Sequence, residues 1–291
     1  MDYAKLLEEW EAVLARRPSF RELLAPSGEI LAAWARWPAD RLAPLRWSAA
    51  ECGARWHRGV PLLADAPPPA IPADELEDLV VPAMELLAAI APEGDAVRRF
   101  AEAWDRGEAG PADLFPGPGR VGSASVQQRL GLSSEFLAFL GAASLRPILE
   151  PYFADCRPHL DTHGWDLGIC PFCGAPPGFA DLLEDGKRRL ACHLCGAGWI
   201  FSRLRCPYCG NRNAGDLLSF QAEDKEEGYA MTACRGCRGY LKELDRRVRW
   251  NAGSALIEDW GSPHLDLVAY RAGYWRAIPS LVQLQRPEDS Q

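Results

Sequence analysis

Apolar residues in the first part of the chain recur every three or four positions, which is the spacing of amphipathic helices. The first such stripe is formed by Tyr3, Leu6, Leu7, Trp10, Val13 and Leu14. The same period runs from Phe20 to Trp34, is interrupted near Pro26 and ends before Pro38. Because residues three or four apart lie on one face of a helix, the spacing predicts helices whose apolar faces are buried together.

Prolines and serines mark where the later helical segments begin and end. Residues 66–72 include four prolines and predict a connector, because proline cannot continue a helix. Helical spacing resumes over residues 76–90, and Ser133 or Ser134 is a candidate N-cap for a further helix. These patterns predict a helical domain over residues 1–164.

The pattern changes near Trp165, where cysteine pairs, glycines and short apolar runs replace the helical period. Runs such as Trp-Ile-Phe at 199–201 predict short strands joined by tight turns. Helical spacing returns after Pro263, and we expect that segment to pack back on the first domain, with a loose tail from Arg286. The sequence therefore predicts an α+β fold: a helical N-terminal domain, two tandem metal modules and a C-terminal helical segment. The predicted bounds are 1–164, 165–205, 206–260 and 261–291.

Eight of the ten cysteines occur as four Cys-x-x-Cys pairs in this second part of the chain. The candidate metal ligands are Cys170, Cys173, Cys192 and Cys195 in the first module, and Cys206, Cys209, Cys234 and Cys237 in the second. Each pair directs two sulfurs at one ion from a tight turn, so a tetrahedral site needs a second pair. Intervals of 18 and 24 residues within the modules favour pairing in sequence order, while interleaved pairing stays open.

Glycine follows three of the four pairs, at Gly174, Gly196 and Gly210. A metal-binding turn often needs a positive φ at this position, which glycine adopts without steric cost. Arg238 breaks the pattern after the last pair, although Gly239 comes next. Three of the four turns are therefore predicted to share one backbone conformation.

Four thiolates without histidine suit zinc or iron, and the ligand type does not separate the two metals. Zinc would make the modules structural ribbons, whereas iron would make them rubredoxin-like and able to change by one electron. The ligands alone favour a purely structural role, because a small β-rich segment builds little core of its own. Dithiol redox chemistry is disfavoured, since thioredoxin-like motifs come singly in a βαβ setting.

The histidines and the two remaining cysteines were weighed as further sites. His193 lies inside the second pair, and we expect it to face solvent because four sulfurs already complete a tetrahedron. His159 and His163 lie close to Cys156 and could form a third metal or catalytic site with it, but polar residues of a connector are the simpler interpretation. Cys52 could be a nucleophile with His57 as its base, but a small buried residue is the simpler interpretation. The sequence therefore predicts no catalytic residue.

The bulk composition narrows the classes of partner. Apolar residues make up 48% of the 291 residues and charged residues 25%, which is typical of a globular protein. The formal net charge of −8 argues against a nucleic-acid partner, because phosphate affinity needs clustered Lys and Arg. No stretch approaches the roughly 20 apolar residues of a membrane span, and the acidic start is unlike a signal peptide. We therefore expect a cytoplasmic protein without membrane insertion, whose reduced cysteines bind metal.

The cysteine motifs and their flanks resemble those of the formate dehydrogenase accessory proteins of the FdhE type. The matching segments are 170–174 (Cys-Pro-Phe-Cys-Gly), 190–195 with Trp199, 205–211, 234–242 ending in Tyr-Leu-Lys, 265–269 (Leu-Asp-Leu-Val-Ala) and 273–274. The likeness in specific motifs covers residues 165–274. Over the first half it consists of a compatible helical region and a similar length.

This resemblance implies a cytoplasmic accessory factor rather than an enzyme. Such a factor binds the catalytic subunit of a respiratory formate dehydrogenase and is required for that enzyme's activity. The resemblance also implies that both modules are rubredoxin-like and that the eight cysteines bind two metal ions, with iron favoured and zinc possible. Two alternatives stay open, a one-electron-transfer protein of rubredoxin type and a zinc-ribbon protein that binds nucleic acid.

Overall fold

The computed structural model describes residues 2–38, 40–90, 94–161, 164–220 and 226–284. Its first part is helical, as the periodicity predicts. The helices are α1 Tyr3–Arg16, α2 Arg21–Leu24, α3 Ser27–Arg36, α4 Ala49–Trp56, α5 Leu62–Asp65, α6 Ala73–Ile90, α7 Gly94–Asp105, α8 Ala124–Leu130, α9 Ser134–Ser144 and α10 Arg146–Tyr152. A small hairpin, β1 Pro116–Gly117 and β2 Arg120–Val121, lies between α7 and α8.

The boundaries of these helices follow the local sequence. The interruption near Pro26 separates α2 from α3, and the proline-rich residues 66–72 connect α5 to α6. Ser133 is the N-cap of α9, where its side chain accepts a hydrogen bond from the Phe136 amide. Helix α9 is the buried centre of this part, and every residue from Phe136 to Ser144 is buried.

The second part contains one six-stranded sheet. Its strands are β3 Phe179–Leu182, β4 Arg188–Ala191, β5 Gly198–Phe201, β6 Leu217–Phe220, β7 Tyr229–Cys234 and β8 Tyr240–Asp245. The order across the sheet is β5-β4-β3-β8-β7-β6, and the neighbours are antiparallel except for β3 and β8. These two run parallel with Ala180 paired to Glu243, so the strands of the two predicted modules form a single sheet.

Three further helices follow the sheet, α11 Ala255–Trp260, α12 Pro263–Arg271 and α13 Leu281–Leu284. The Trp260 ring lies 6.2 Å from that of Trp10 and 5.9 Å from that of Trp34. Within the segment predicted after Pro263, the His264 ring lies 6.4 Å from that of Phe20, so the expectation that this segment packs back on the N-terminal part is confirmed. The predicted tail, residues 286–291, lies outside the described residues.

The α+β fold class is confirmed, with N-terminal helices, two four-cysteine clusters and C-terminal helices. Helix α11 begins at Ala255, within the range predicted for the second module, because Ser254 caps it there and accepts a hydrogen bond from the Ile257 amide. Among the described residues, none of the helices combines the length and the apolar character that crossing a membrane requires.

Candidate metal centres

The four Cys-x-x-Cys segments fold into the same turn. In each, the amide that follows the second cysteine donates to the carbonyl of the first. The four hydrogen bonds are Gly174 to Cys170 (2.9 Å), Gly196 to Cys192 (3.0 Å), Gly210 to Cys206 (3.0 Å) and Arg238 to Cys234 (2.8 Å). One local fold therefore presents each pair of sulfurs, as the two-residue spacing requires.

The residue after each pair has a positive φ, including the one that is not glycine. Gly174, Gly196 and Gly210 have φ of 79°, 68° and 75°, and Arg238 has 60°. Among the described residues Arg238 is the one non-glycine residue with positive φ. The turn thus imposes a left-handed backbone conformation on Arg238, which costs an L-residue about 1–2 kcal/mol.

Contacts with the C-terminal segment hold Arg238 in this conformation. Its guanidinium donates to the Gly273 carbonyl at 3.1 Å and to the Ala272 carbonyl at 2.8 Å. The same group lies 4.4 Å from the centre of the Tyr274 ring. The last turn of the second cluster is therefore fastened to the segment after α12.

The sulfurs are spaced as a tetrahedral metal site requires. Within each cluster the four Sγ atoms lie within 4.8 Å of one another. The closest Sγ pairs are Cys170 with Cys195 and Cys173 with Cys192 at 3.5 Å, and Cys206 with Cys237 and Cys209 with Cys234 at 3.7 Å. Metal–sulfur bonds of about 2.3 Å imply tetrahedral edges of about 3.8 Å. Each cluster could therefore hold one metal ion, and the cysteines group in sequence order.

The two clusters differ in their access to solvent. All four cysteines of the first cluster are buried, whereas in the second Cys209 is exposed and Cys237 is half-buried. Burial raises the pKa of Cys170 and Cys173 well above its usual range. Both would therefore keep their protons at neutral pH unless a bound cation stabilised the thiolates.

Polar and aromatic groups surround the second cluster. The Gly239 amide donates to Cys237 Sγ at 3.4 Å, and the Asn211 side-chain amide to Cys234 Sγ at 3.8 Å. The Trp275 indole donates to the Cys237 carbonyl at 2.7 Å. Donors to thiolate sulfur stabilise its charge, and they tune the potential of a redox-active ion bound there.

His193 is buried, and the expectation that it faces solvent is wrong. Its side chain is 1% exposed, and Nε2 lies 2.8 Å from Asp259 Oδ2 of α11. The ring packs directly on Gly178, where an added Cβ would come within 2.1 Å of His193 Cδ2. Burial lowers the pKa of His193, and Asp259 only partly opposes this. The imidazole of His193 is therefore neutral and donates a hydrogen bond from Nε2 to the Asp259 carboxylate.

Asp259 belongs to a buried charge network between the sheet and the C-terminal helices. Lys242 Nζ lies 2.9 Å from Asp259 and 2.8 Å from Asp266, and Arg276 lies 2.8 Å from Asp259 and 3.2 Å from Asp266. Burial raises the pKa of Asp259, but Arg276 and Lys242 outweigh that effect and leave it well below its usual range. Two carboxylates and two cations thus balance in the interior, and His193 links this group to the first cluster.

The chain is 33% identical over 157 residues to the FdhE homolog of Stutzerimonas stutzeri, covering 48% of this chain and 50% of that protein. It is 31% identical over 150 residues to the FdhE homolog of Aquifex aeolicus, covering 50% and 51%. The matches thus span about half the length of these curated relatives. The crystal structure of the FdhE protein from Pseudomonas aeruginosa has the same fold, with a TM-score of 0.60 and 22% identity over 97% of this chain and 95% of that one. The chain is therefore similar to FdhE proteins, in sequence over half of its length and in fold over nearly all of it. No family model matches it.

The FdhE-type motifs noted in the sequence meet in the charge network. Tyr240 and Lys242 of the Tyr-Leu-Lys motif both contact Asp266 of the Leu-Asp-Leu motif, with Tyr240 Oη donating at 2.6 Å. Sequence reasoning had assigned no role to Lys242, Asp259, Asp266 or Arg276. The sequence does contain one sign of a buried charge. Lys242 falls between Tyr240 and Leu244 at the alternate positions of a strand that face inward.

The other residues weighed in the sequence lie apart from both clusters. Cys52 is fully buried and close to Cys156, while His57 is exposed. Burial, together with Cys156, raises the pKa of Cys52 to about 12, which does not suit a nucleophile. His159 is half-buried, and His163 lies outside the described residues. Within the described ranges, groups of three or more metal-binding side chains occur at the two cysteine clusters alone.

Proposed function

We propose that this chain belongs to the FdhE family and is a cytoplasmic accessory factor, not itself an enzyme, that binds the catalytic subunit of a respiratory formate dehydrogenase and is needed for its activity. The observation that carries the proposal is the identity to FdhE homologs, joined to the same fold over 97% of the chain. The two clusters hold ligand sets for metal rather than an arrangement of nucleophile and base. A binding role is therefore favoured over catalysis.

We further propose that the eight cysteines bind two metal ions, with iron favoured and zinc possible. The donor sets fit either metal, since four sulfurs at tetrahedral spacing satisfy both. Iron would supply one-electron chemistry when bound, and zinc would be structural. The domain division stays a prediction. It consists of a helical domain (1–164), two modules (165–205 and 206–260) and a C-terminal segment (261–291).

Electron transfer is a second candidate function, and the exposure of the second cluster favours it. Cys209 reaches the surface, whereas the first cluster is buried throughout. An electron partner would therefore approach the second cluster. Metal analysis and a visible spectrum of protein purified without oxygen decide between the metals, because iron(III) thiolate sites absorb visible light and zinc sites are colourless. A colourless protein that contains zinc would exclude electron transfer as its function.

The accessory function is tested by capture of the client. Tagged protein is incubated anaerobically with the catalytic subunit of formate dehydrogenase, and the captured subunit is quantified. A Cys209→Ser/Cys237→Ser variant disrupts the second cluster, and Cys52→Ala is the matched control because Cys52 lies outside both clusters. We expect capture by the wild type and the control, and restored formate oxidation when the wild-type gene complements a deletion strain. Absence of both effects for the wild type would overturn the proposal.

A further inference from the structure

One face of the six-stranded sheet carries a groove of about 720 Å³, here called the sheet groove. The strands of both predicted modules line it, together with the loop that joins β5 to the second cluster. The large apolar side chains of its lining include Ile200, Phe201, Leu204, Leu217, Leu218 and Leu241. Leu204 is 72% exposed on that loop. A concave apolar surface at this scale is typical of a binding site.

The alternation of strand β8 separates the sheet groove from the charge network. Leu241 and Glu243 line the groove, whereas Tyr240 and Lys242 point to the opposite face and contact Asp266. One face of the sheet is thus covered by the C-terminal helices, whereas the described residues leave the groove on the other face open. Cys206 and Cys234 of the more exposed cluster also line the groove.

The charges along the sheet groove are opposite in sign to those of the whole chain. The chain has a formal net charge of −8. The charged residues of the groove lining are Lys187, Arg188, Arg203 and Arg205, with Glu243 as the single carboxylate. Lys187 and Arg205 are also paired with Asp185 and Asp166, two carboxylates that lie outside the lining. Among the lining residues themselves, the cations still exceed the anions when a divalent ion in four thiolates adds a charge of about −2 beside the groove. The surface therefore favours an acidic partner.

Two donors in the wall of the groove lack acceptors. The Nε atoms of Arg188 and Arg205 are buried and have no hydrogen-bond partner among the described residues. Arg188 is 3% exposed and is held in place, with NH1 3.1 Å from Glu243 and NH2 2.7 Å from the Arg205 carbonyl. A buried N–H without an acceptor is costly, so a ligand whose carboxylate or carbonyl oxygens meet these arginines when their side chains shift is favoured here.

We propose that the sheet groove binds an extended segment of a partner protein that carries both apolar and acidic side chains. A small anion would satisfy the arginines but leave the apolar lining uncovered, and an apolar ligand would leave the arginine donors unpaired. An extended peptide supplies apolar groups, carboxylates and backbone carbonyls together. In identifying that partner with the catalytic subunit of formate dehydrogenase, the inference rests on the proposed function.

A direct binding measurement tests the groove without the client. The probe is a fluorescein-labelled short peptide of alternating valine and glutamate, compared with its valine–lysine counterpart by fluorescence anisotropy on the full chain. We expect binding of the glutamate peptide alone, weakening as salt is raised. Arg203→Glu and Leu204→Asp change exposed side chains of the groove, so folding, checked by circular dichroism and metal content, is expected to be unchanged.

Matched controls are Arg106→Glu, in the turn directly after α7, and Trp250→Asp, an arginine and an exposed apolar residue outside the groove. Each groove variant is expected to weaken binding about tenfold or more, and each control by less than about twofold. Equal binding of the two peptides, or groove variants that bind like the wild type, would overturn the inference.

The same four variants in the client-capture experiment separate the two proposals. If the groove variants lose capture and the control variants keep it, the groove and the accessory function are both supported. If the groove variants still capture the client, the proposal that the groove binds it is overturned, and the accessory function is unaffected. Binding of the glutamate peptide by a wild-type protein that captures no client supports the groove and counts against formate dehydrogenase as the partner.

Discussion

Lys242 is fully buried and lies between the carboxylates of Asp259 and Asp266, so its replacement by methionine is a sharp test of the charge network. Methionine keeps most of the side-chain volume but removes the cation. Two carboxylates then face Arg276 alone, and one buried negative charge is left without compensation. Breaking a buried pair in this way costs about 3–5 kcal/mol. For a chain of this size that corresponds to a fall in Tm of roughly 6–20 °C.

The assay is a double-mutant cycle measured by denaturant unfolding at fixed metal content. The second change, Asp266→Asn, removes one carboxylate, so the double variant again balances Asp259 against Arg276. We expect the double variant to be more stable than the sum of the single effects by more than about 1 kcal/mol. Lys187→Met is the matched control, because Lys187 is an exposed lysine paired with Asp185, and its loss should cost less than about 1 kcal/mol. Additive single effects, or a Lys242→Met protein as stable as the control, would refute the reasoning.

Four further outcomes follow from the clusters. A chelator should remove one equivalent of metal quickly, from the cluster that contains exposed Cys209, and the second slowly; a single phase would contradict the difference in burial. Metal affinity should fall as pH is lowered, because the raised pKa of Cys170 means that binding must release its proton, and a competition titration across pH measures this. Arg238→Gly should be more stable than Arg238→Ala by about 1 kcal/mol in denaturant unfolding, since only glycine relieves the positive φ; equal stability would argue that the backbone is unstrained. Gly178→Ala should lower Tm, because its Cβ meets the His193 ring, and unchanged stability would argue against that contact.

Much of the fold could be predicted because it depends on short-range patterns. The period of apolar residues located α1, α3 and α6, and proline placed the breaks between them. The spacing of the cysteines predicted both clusters, since two residues between sulfurs allow few geometries. These features are local, and each can be read from a stretch of sequence shorter than one module.

The parts that were missed depend on contacts between distant segments. The sheet is shared because β3 pairs with β8, and neither strand carries a sign of its partner in its own alternation. A complete set of four sulfurs predicts an exposed His193, whereas the partner that buries it, Asp259, lies 66 residues further on. Arg238 shows the converse, in that a tertiary anchor replaces the glycine that the local turn would favour.

The parallel pairing of β3 with β8 also has a consequence for the order in which the chain is made. During synthesis the first cluster emerges well before β8, so β3 has an unpaired edge until residues 240–245 leave the ribosome. His193 remains without its hydrogen-bond partner still longer, because Asp259 lies in α11 and is synthesised after β8. A protein truncated after the first module would therefore expose a strand edge and a buried histidine, and aggregation is its expected fate. The first cluster to be synthesised is among the last parts of the molecule to be completed.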